Sequence, residues 1–591
     1  MYRAPIEDIE FVLQEIIGEE RLRTSGNGSE YTDELADSVL REAARFAEDV
    51  LEPLNRSGDR EGAHWTEQGV RTAKGFKDAY RRFVEGGWPR LRGDVQYGGQ
   101  PVPLPLSMAV QEIWASSNLA FKLCPLLTLG AAEALDKFGS PEQKELFLPK
   151  LISGEWTGTM NLTEPQAGSD LAQLRTLAVR AGDHYRISGQ KIFITWGDHD
   201  CTDNIVHLVL ARIEGAPAGI KGISLFVVPK ILVNPDGSLG EPNEVRCLSL
   251  EHKLGIHASP TCTMVYGDHA GAVGYLVGKP NRGLECMFVM MNTARLGVGL
   301  EGYAVAERAF QQAAEYARNR IQGKPPGVTL ASAPIIHHPD VKRMLLTMKA
   351  SIEAMRALTA YTAYQLDVTE CAGDEKVRSA MKLRGELLIP ITKGWCTELG
   401  SEIASVGIQV HGGMGFIEET GAAQFLRDAR ITSIYEGTTG IQANDLVGRK
   451  LGLDHGASML ALLTDAAAEI EAIRPSDSAM ESMKRATLQA LTLARKATEA
   501  LLASYANTPE RALAVAVPYL KLCGFVLGGW LMTKSGVRAR CKREGVKQQF
   551  YEGKFRTAQF YAAQILPNVH ALAEIVTHGA ESVVETSAEL I

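Results

Sequence analysis

Helical periodicity on both sides of a β-branched middle, followed by an Ala-rich helical tail, predicts a mainly α protein with a central β-domain. The expected order is a helical N-domain, an antiparallel β-domain, a helical C-domain and an additional C-terminal helical domain. At 591 residues the chain has room for about four packed units of roughly 150 residues each. Hydrophobic residues make up 45% and charged residues 22%. That mix excludes a disordered chain, a collagen-like fibre and a disulfide-stapled miniprotein.

From Thr32 to about Ile152, apolar residues recur at three- and four-residue spacing, as in ADSVLREAARFAEDVLEPLNR, which is helical. Ser140, Pro141 and Gln143 form a start signal, with a cap, a proline suited to the first helical position and a capping-box partner. Between about Thr157 and Gly278 the segments HYRISGQKIFITWG, NIVHLVLARI, GISLFVVPKIL and CTMVYG are short, β-branched and bounded by turn residues. They read as the strands of a small sheet or barrel, antiparallel because no helical pattern interrupts them. Helical periodicity returns at LECMFVMMNTARLGVGLEGYAVAERAF and persists to about Leu453. After a polar joint at residues 452–456, an Ala-rich helical block runs to Ile591, with a further cap suggested by Thr508-Pro509-Glu510. The expected boundaries are 1–156, 157–280, 281–453 and 454–591.

The net charge of −8 argues against a generic polyanion binder. Nine scattered cysteines without a C-x-x-C pair suggest reduced thiols in a cytoplasmic setting. The acidic start MYRAPIEDIEFVLQEIIGEE is unlike a targeting peptide. No run of about 18 uninterrupted apolar residues predicts a membrane span. One stretch departs from the acidic balance. Lys534, Arg538, Arg540, Lys542, Arg543, Lys547, Lys554 and Arg556 face only Glu544 and Glu552, a local net of +6.

Gly297-Val298-Gly299-Leu300-Glu301-Gly302 matches the dinucleotide fingerprint G-x-G-x-x-G, but it sits within a helical pattern where small residues let helices approach closely. It does not support a nicotinamide site. Asp198-His199-Asp200-Cys201 carries metal-ligand side chains without a second pair at supportive spacing, so a solvated turn is expected. His337-His338-Pro339-Asp340 reads as a helix entry. The glycine-rich turns at residues 161–170 and 409–416 could approach a flat or phosphorylated ligand, or could be plain connections. Glu436, at a helix-to-loop junction before Gly437 and Thr438, can act as a general base if buried and is otherwise a solvated acid.

Taken in order, TEPQAGSD, KIFITWG, MNTARLGVG, YARNRIQGK, IQVHGGMGF and RDARITSIYEGTTGIQ resemble the acyl-CoA dehydrogenase family over roughly residues 40 to 450. The MYRAP start and the added C-terminal helices look like the subgroup named for 3-methylmercaptopropionyl-CoA dehydrogenase. The resemblance implies non-covalent FAD between the β-domain and the second helical domain. It implies Thr163 and Ser169 by the flavin, and Met160 and Leu162 at its edge. Phe193, where the family often has Trp, would lie against the ring with Ile194 and Thr195 beside it. Arg320, Gln322, Gln409, Gly412 and Gly413 would hold the cofactor of a neighbouring subunit, with Thr438 also on the cofactor side. That makes a homo-oligomer, a dimer above all, the expected state. Glu436 aligns with the catalytic base; where some members carry a Glu before the Arg, this chain has Ala294. Arg295, Ser169 and Gly437 would contact the substrate. The implied reaction is α,β-dehydrogenation of an acyl-CoA thioester to the trans-2-enoyl-CoA, with an electron-transfer flavoprotein as acceptor. An oxidase using O2, and a DNA-binding flavoprotein relative suggested by the Lys534–Arg556 stretch, are the alternatives.

Overall fold

The computed structural model describes residues 2–25, 30–100, 102–327, 332–371, 374–542 and 545–591, with the side chains of Glu370 and Cys371 outside the description. The chain divides into two compact units, one of residues 43–102 and 117–297, the other of residues 1–42, 103–116 and 298–591.

The first unit is built on an eight-stranded sheet. Its spatial order is Val245–Leu250, Thr261–Tyr266, His184–Thr195, Ala272–Val277, Ile223–Pro229, Ile205–Ile213 and Thr157–Asn161. Leu177–Ala181 pairs with both His184–Thr195 and Ile205–Ile213, which closes five strands into a ring and removes their free edges. Most pairs are antiparallel as expected. Ile205–Ile213, however, runs parallel to both Thr157–Asn161 and Leu177–Ala181. Intervening strands supply the crossover, so the absence of a helical pattern did not exclude parallel pairing.

Period-two alternation divides the core. Val206, Leu208 and Leu210 join Leu127, Leu135, Phe147 and Leu151 of the helices Leu119–Phe138 and Pro141–Ser153. Val209 and Ala211 face Ile187, Phe226 and Tyr266 on the other side. The helix Pro141–Ser153 begins as its sequence predicts: the Gln143 N–H donates to Ser140 Oγ at 3.2 Å and the Ser140 N–H to Gln143 Oε1 at 3.0 Å.

The 198–201 segment is not a solvated turn. Asp198 and His199 are buried. Asp198 accepts from the Val70 N–H at 3.1 Å and from Lys230 at 2.5 Å. Asp200 accepts from the N–H and hydroxyl of Thr72, and His199 pairs with the Thr157 hydroxyl at 2.9 Å. These acids satisfy backbone donors that local sequence does not reveal. Among the described residues no group of three or more His, Cys, Asp or Glu could hold a metal.

In the second unit the helices Gly283–Asn319 and Glu375–His411 cross backbone to backbone. A Cβ on Gly400 would lie 2.2 Å from the Gly302 carbonyl oxygen. The G-x-G-x-x-G match therefore serves helix packing. The entry at 337–340 is likewise structural, with a helix starting at Pro339. Pro509 opens the helix Pro509–Ala514, but the Thr508 side chain does not cap it; its hydroxyl turns back to the Ser504 carbonyl at 3.4 Å.

Six of the eight basic residues of the Lys534–Arg556 stretch are paired within the unit. Lys534 meets Glu469, Arg540 meets Asp477, and Arg556 meets Glu552. Lys542 meets Glu15, Lys547 meets Glu7 and Glu10, and Lys554 meets Asp8 and Glu353. The acidic N-terminal segment thus covers much of the cationic tail, which is not a free face of charge +6; Arg543 and Glu544 lie outside the described residues. Beneath it Arg356 is buried between Glu112 at 2.7 Å and Glu307 at 2.9 Å. Among the described residues one helix, Ala516–Cys541, is long and apolar enough to cross a membrane, but 78% of its apolar window is buried inside the protein. It is a core helix by that measure. Among the described side chains every cysteine is a free thiol.

Candidate active site

The amphipathic helix Ala422–Arg430 buries Phe425 and Ala429 and runs into the short turn Ile431–Ser433. The chain then leaves helical geometry. Glu436 takes φ +56°, uncommon for a residue with a side chain, and Gly437 follows at φ +92°. Such a conformation costs on the order of 1–3 kcal/mol and persists only when its surroundings hold it. They do. Gln442 Nε2 donates to the Glu436 carbonyl at 3.0 Å and to the Gly437 carbonyl at 3.3 Å. The buried Lys393 donates to the same Gly437 carbonyl at 2.7 Å. The Tyr435 hydroxyl donates to Glu301, which is fully buried. The Thr438 hydroxyl caps the helix Thr439–Asn444, and the Thr439 hydroxyl donates to Glu398 at 2.6 Å. Glu436 itself is half-buried.

The β-containing unit carries a second set. Its TEPQAGSD turn is closed by reciprocal backbone hydrogen bonds between Glu164 and Ala167. Glu164 is buried and accepts from Lys191 at 2.8 Å, from the Thr176 hydroxyl at 2.5 Å and from the N–H groups of Arg175 and Thr176. Lys191 is fully buried and also donates to the Leu162 carbonyl at 3.0 Å, while the Ile192 N–H donates to the Thr163 carbonyl at 2.9 Å. The turn and the strand His184–Thr195 are thereby locked together.

Within that strand the pairing with Thr261–Tyr266 slips. Cys262 faces Ile194 while Met264 faces Lys191, so Ile192 and Phe193 together oppose one residue. This β-bulge re-aims the chain. Phe193 takes φ +60° and is 58% exposed, whereas Ile194 is buried in the core. The Ile194 side chain therefore packs in the core, which leaves its main chain for the cofactor side. Met160 is buried, Leu162, Thr163 and Thr195 are half-buried, and Ser169 is exposed. Trp196, at φ +51°, anchors the strand end by donating to the Ala120 carbonyl at 3.1 Å.

Burial opposes ionisation of Glu164, but the Lys191 charge and the converging donors outweigh it and hold the carboxyl down at about 2. Burial pushes Lys191 down to about 8 despite Glu164. Burial, reinforced by Lys230, likewise lowers His199 and His207 to about 3. Each acid-side shift has the same sign. The unfolded chain takes up protons below the ordinary values of 6.5 for histidine and 4.5 for Glu164, so stability falls as pH drops through those values toward 3 and 2. Melting scans from pH 7 to 4 should show a loss of about 1.4 kcal/mol per pH unit for each neutral histidine. His207→Phe should flatten that slope, and a variant with the parent's slope would refute the assignment.

Elsewhere Arg295 is buried, its guanidinium 6.0 Å from the Phe288 ring centre. Arg320 and Gln322 are exposed on a short bridged segment, where Arg320 donates to Gln322 Oε1 at 3.3 Å. Tyr316 stacks on His411 with ring centres 4.6 Å apart, which places the ends of their two helices side by side. Arg320 and Gln322 follow one of these helix ends, Gln409, Gly412 and Gly413 lie at the other, and all five are exposed. A Cβ on either glycine would meet nothing within 4 Å, so their openness is not needed for internal packing. Glu164, Lys191, Glu301 and Lys393 were missed from sequence; for the last three the only signal was charge inside otherwise apolar periodic runs, and Glu164 lay in a turn.

Families described as acyl-CoA dehydrogenase N-terminal, middle and C-terminal domains match residues 33–155, 159–269 and 281–451. A family described as acetyl-CoA dehydrogenase C-terminal like matches residues 461–587. The chain is 45% identical over 589 residues to 3-methylmercaptopropionyl-CoA dehydrogenase of Ruegeria pomeroyi, covering 99% of this chain and 100% of that protein. It is 34% identical to a broad-specificity linear acyl-CoA dehydrogenase of Mycobacterium tuberculosis, with 97% of each covered. The crystal structure of an acyl-CoA dehydrogenase from Bacillus anthracis, complexed with FAD, superposes with a TM-score of 0.75 at 20% identity, covering 97% of this chain and 91% of that one. The helical, β, helical and added helical order thus has its counterpart among known proteins, and this chain belongs to the acyl-CoA dehydrogenase family.

Proposed function

We propose that the chain dehydrogenates a short acyl-CoA thioester across its α and β carbons, with Glu436 as the base and 3-methylmercaptopropionyl-CoA as the preferred substrate. The supporting observation is the 434–439 loop, which holds a single half-buried carboxylate in a strained conformation fixed from both sides. End-to-end similarity at 45% identity to the Ruegeria pomeroyi enzyme supports the thioether substrate.

The family's cofactor is FAD, and this chain's residues fit it. The bulge leaves Phe193 exposed, Thr163 and Thr195 are half-buried on the adjoining turn and the same strand, and a Cβ on Gly412 or Gly413 would meet nothing within 4 Å. When bound, FAD would supply the hydride acceptor for the β-carbon. The chain's own part is acid–base chemistry and orientation. Glu436 removes the α-proton, a poor acid even in a thioester, and its backbone N–H is assigned to the developing enolate oxygen. One such donor is worth about 2.7–4 kcal/mol. Fixing the carboxylate beforehand avoids reorganisation during the transfer. Arg320 and Gln322, with Gln409, Gly412 and Gly413, are assigned to the cofactor of a neighbouring subunit in a homodimer.

Anaerobic flavin bleaching against a series of acyl-CoAs tests the reading. 3-Methylmercaptopropionyl-CoA should bleach the flavin fastest, straight-chain acyl-CoAs of similar length more slowly and long chains least. Faster bleaching by a long-chain thioester would remove the substrate assignment. The reduced enzyme should pass electrons to an electron-transfer flavoprotein; hydrogen peroxide formed at the rate of product would identify an oxidase instead.

A further inference from the structure

Tyr435 precedes the proposed base, and its hydroxyl reaches back to the helix Gly283–Asn319, where it donates to Glu301. Glu301 belongs to the glycine-rich 297–302 segment. The close helix crossing explains Gly302 but gives no reason for a carboxylate at a fully buried position. Buried ionisable groups are costly unless well bonded. Two such groups, together with the half-buried Glu398, gather under this one loop. Glu301 meets Tyr435, the buried Lys393 meets the Gly437 carbonyl, and Glu398 meets Thr439. The contacts fall on Tyr435, Gly437 and Thr439, and the first two flank the backbone whose positive φ aims the Glu436 side chain. A hydroxyl-to-carboxylate bond is charge-assisted and directional, so it fixes rotation of the loop as well as its height.

We propose that Tyr435 and Glu301 are a positioning pair whose hydrogen bond sets the direction of the Glu436 carboxylate, an inference that rests on the dehydrogenase reading above. Neither residue touches the reacting atoms. Their effect is on orientation, where a displacement of about 1 Å can cost on the order of a hundredfold in rate.

The test uses the full-length holoenzyme with 3-methylmercaptopropionyl-CoA and three variants. Tyr435→Phe deletes one oxygen, Glu301→Met removes the acceptor, and Glu301→Gln keeps an amide oxygen that can still accept. Tyr435→Phe and Glu301→Met should each lower kcat about 10- to 100-fold, with KM, FAD content and the flavin absorption maximum close to the parent's. Glu301→Gln should recover most of the loss, and combining Tyr435→Phe with Glu301→Met should cost little more than either alone, as for two halves of one contact. In the cofactor-free protein, amide hydrogen exchange at residues 434–438 should rise in Tyr435→Phe, a readout independent of turnover. If Glu301→Met fails to fold, Tyr435→Phe carries the test. A Tyr435→Phe enzyme within twofold of the parent's kcat, or one whose loss follows FAD content alone, overturns the pair. A parent that binds FAD but is bleached by no acyl-CoA overturns the dehydrogenase reading and the pair with it.

Discussion

Glu436→Gln should bind FAD and acyl-CoA as the parent does while losing flavin bleaching by a factor of about 10² to 10⁴, the usual share of a positioned general base. The substitution is nearly isosteric. The anchors of the loop are main-chain carbonyls and neighbouring side chains, namely Gln442, Lys393, Glu301 and Glu398. The amide therefore inherits the same backbone but cannot take a proton. At about 1.4 kcal/mol per tenfold, the loss corresponds to roughly 3–5 kcal/mol of barrier. A stopped-flow trace with 3-methylmercaptopropionyl-CoA reads it directly, and a titration monitored by flavin fluorescence confirms that binding survives. Bleaching within tenfold of the parent would place the base elsewhere, and with Ala294 before Arg295 the alternative acid position of the family is not filled.

The second large effect is expected away from the base. Lys191→Met leaves Glu164 buried without its cationic partner, and breaking one side of a buried pair costs about 3–5 kcal/mol. At about 2–4 °C per kcal/mol for a unit of this size, the melting temperature should fall by roughly 10 °C. Function should suffer as well, because Lys191 ties the Leu162 carbonyl and Glu164 to the strand that carries Phe193 and Thr195. Purified Lys191→Met should therefore carry less FAD, read from the ratio of flavin to protein absorbance, and should bind added FAD more weakly. The double variant Glu164→Gln/Lys191→Met removes both charges and should regain part of the stability, since the cost lies in the unpaired charge. Parent-like melting and FAD content in the single variant would show that the pair is incidental to the site.

Much of the architecture is local and so legible along the chain. Three- and four-residue spacing marked the helices, alternation marked the strands, and Ser140 with Gln143 marked a helix start that forms through a contact three residues long. Readings failed where the partner lies far away. Parallel pairing of Ile205–Ile213 depends on where the chain returns after other strands. Asp198 and His199 looked solvated because their partners, Val70, Lys230 and Thr157, sit in other segments. Thr508 is the local exception: it has the chemistry of a cap, but its hydroxyl turns back to the Ser504 carbonyl. The basic stretch looked like a free cationic face only because Glu7, Asp8, Glu10 and Glu15 are more than five hundred residues away in sequence.

The candidate site divides in the same way. Residue type and motif order singled out Glu436, Phe193, Thr163 and the paired glycines at 412 and 413, because those side chains, or their absence, are themselves the chemistry. Tertiary structure decided which way each one faces: Phe193 outward at a bulge, Ile194 and Arg295 inward, and Glu436 aimed by a strained loop. It also supplied the buried charges behind them, with Glu301 meeting Tyr435 across 134 residues and Lys191 meeting Glu164 across 27. The division has a physical cause. Periodicity and capping are set by neighbours within a turn or two, whereas a buried ionisable group is stabilised only by whatever the completed fold brings against it.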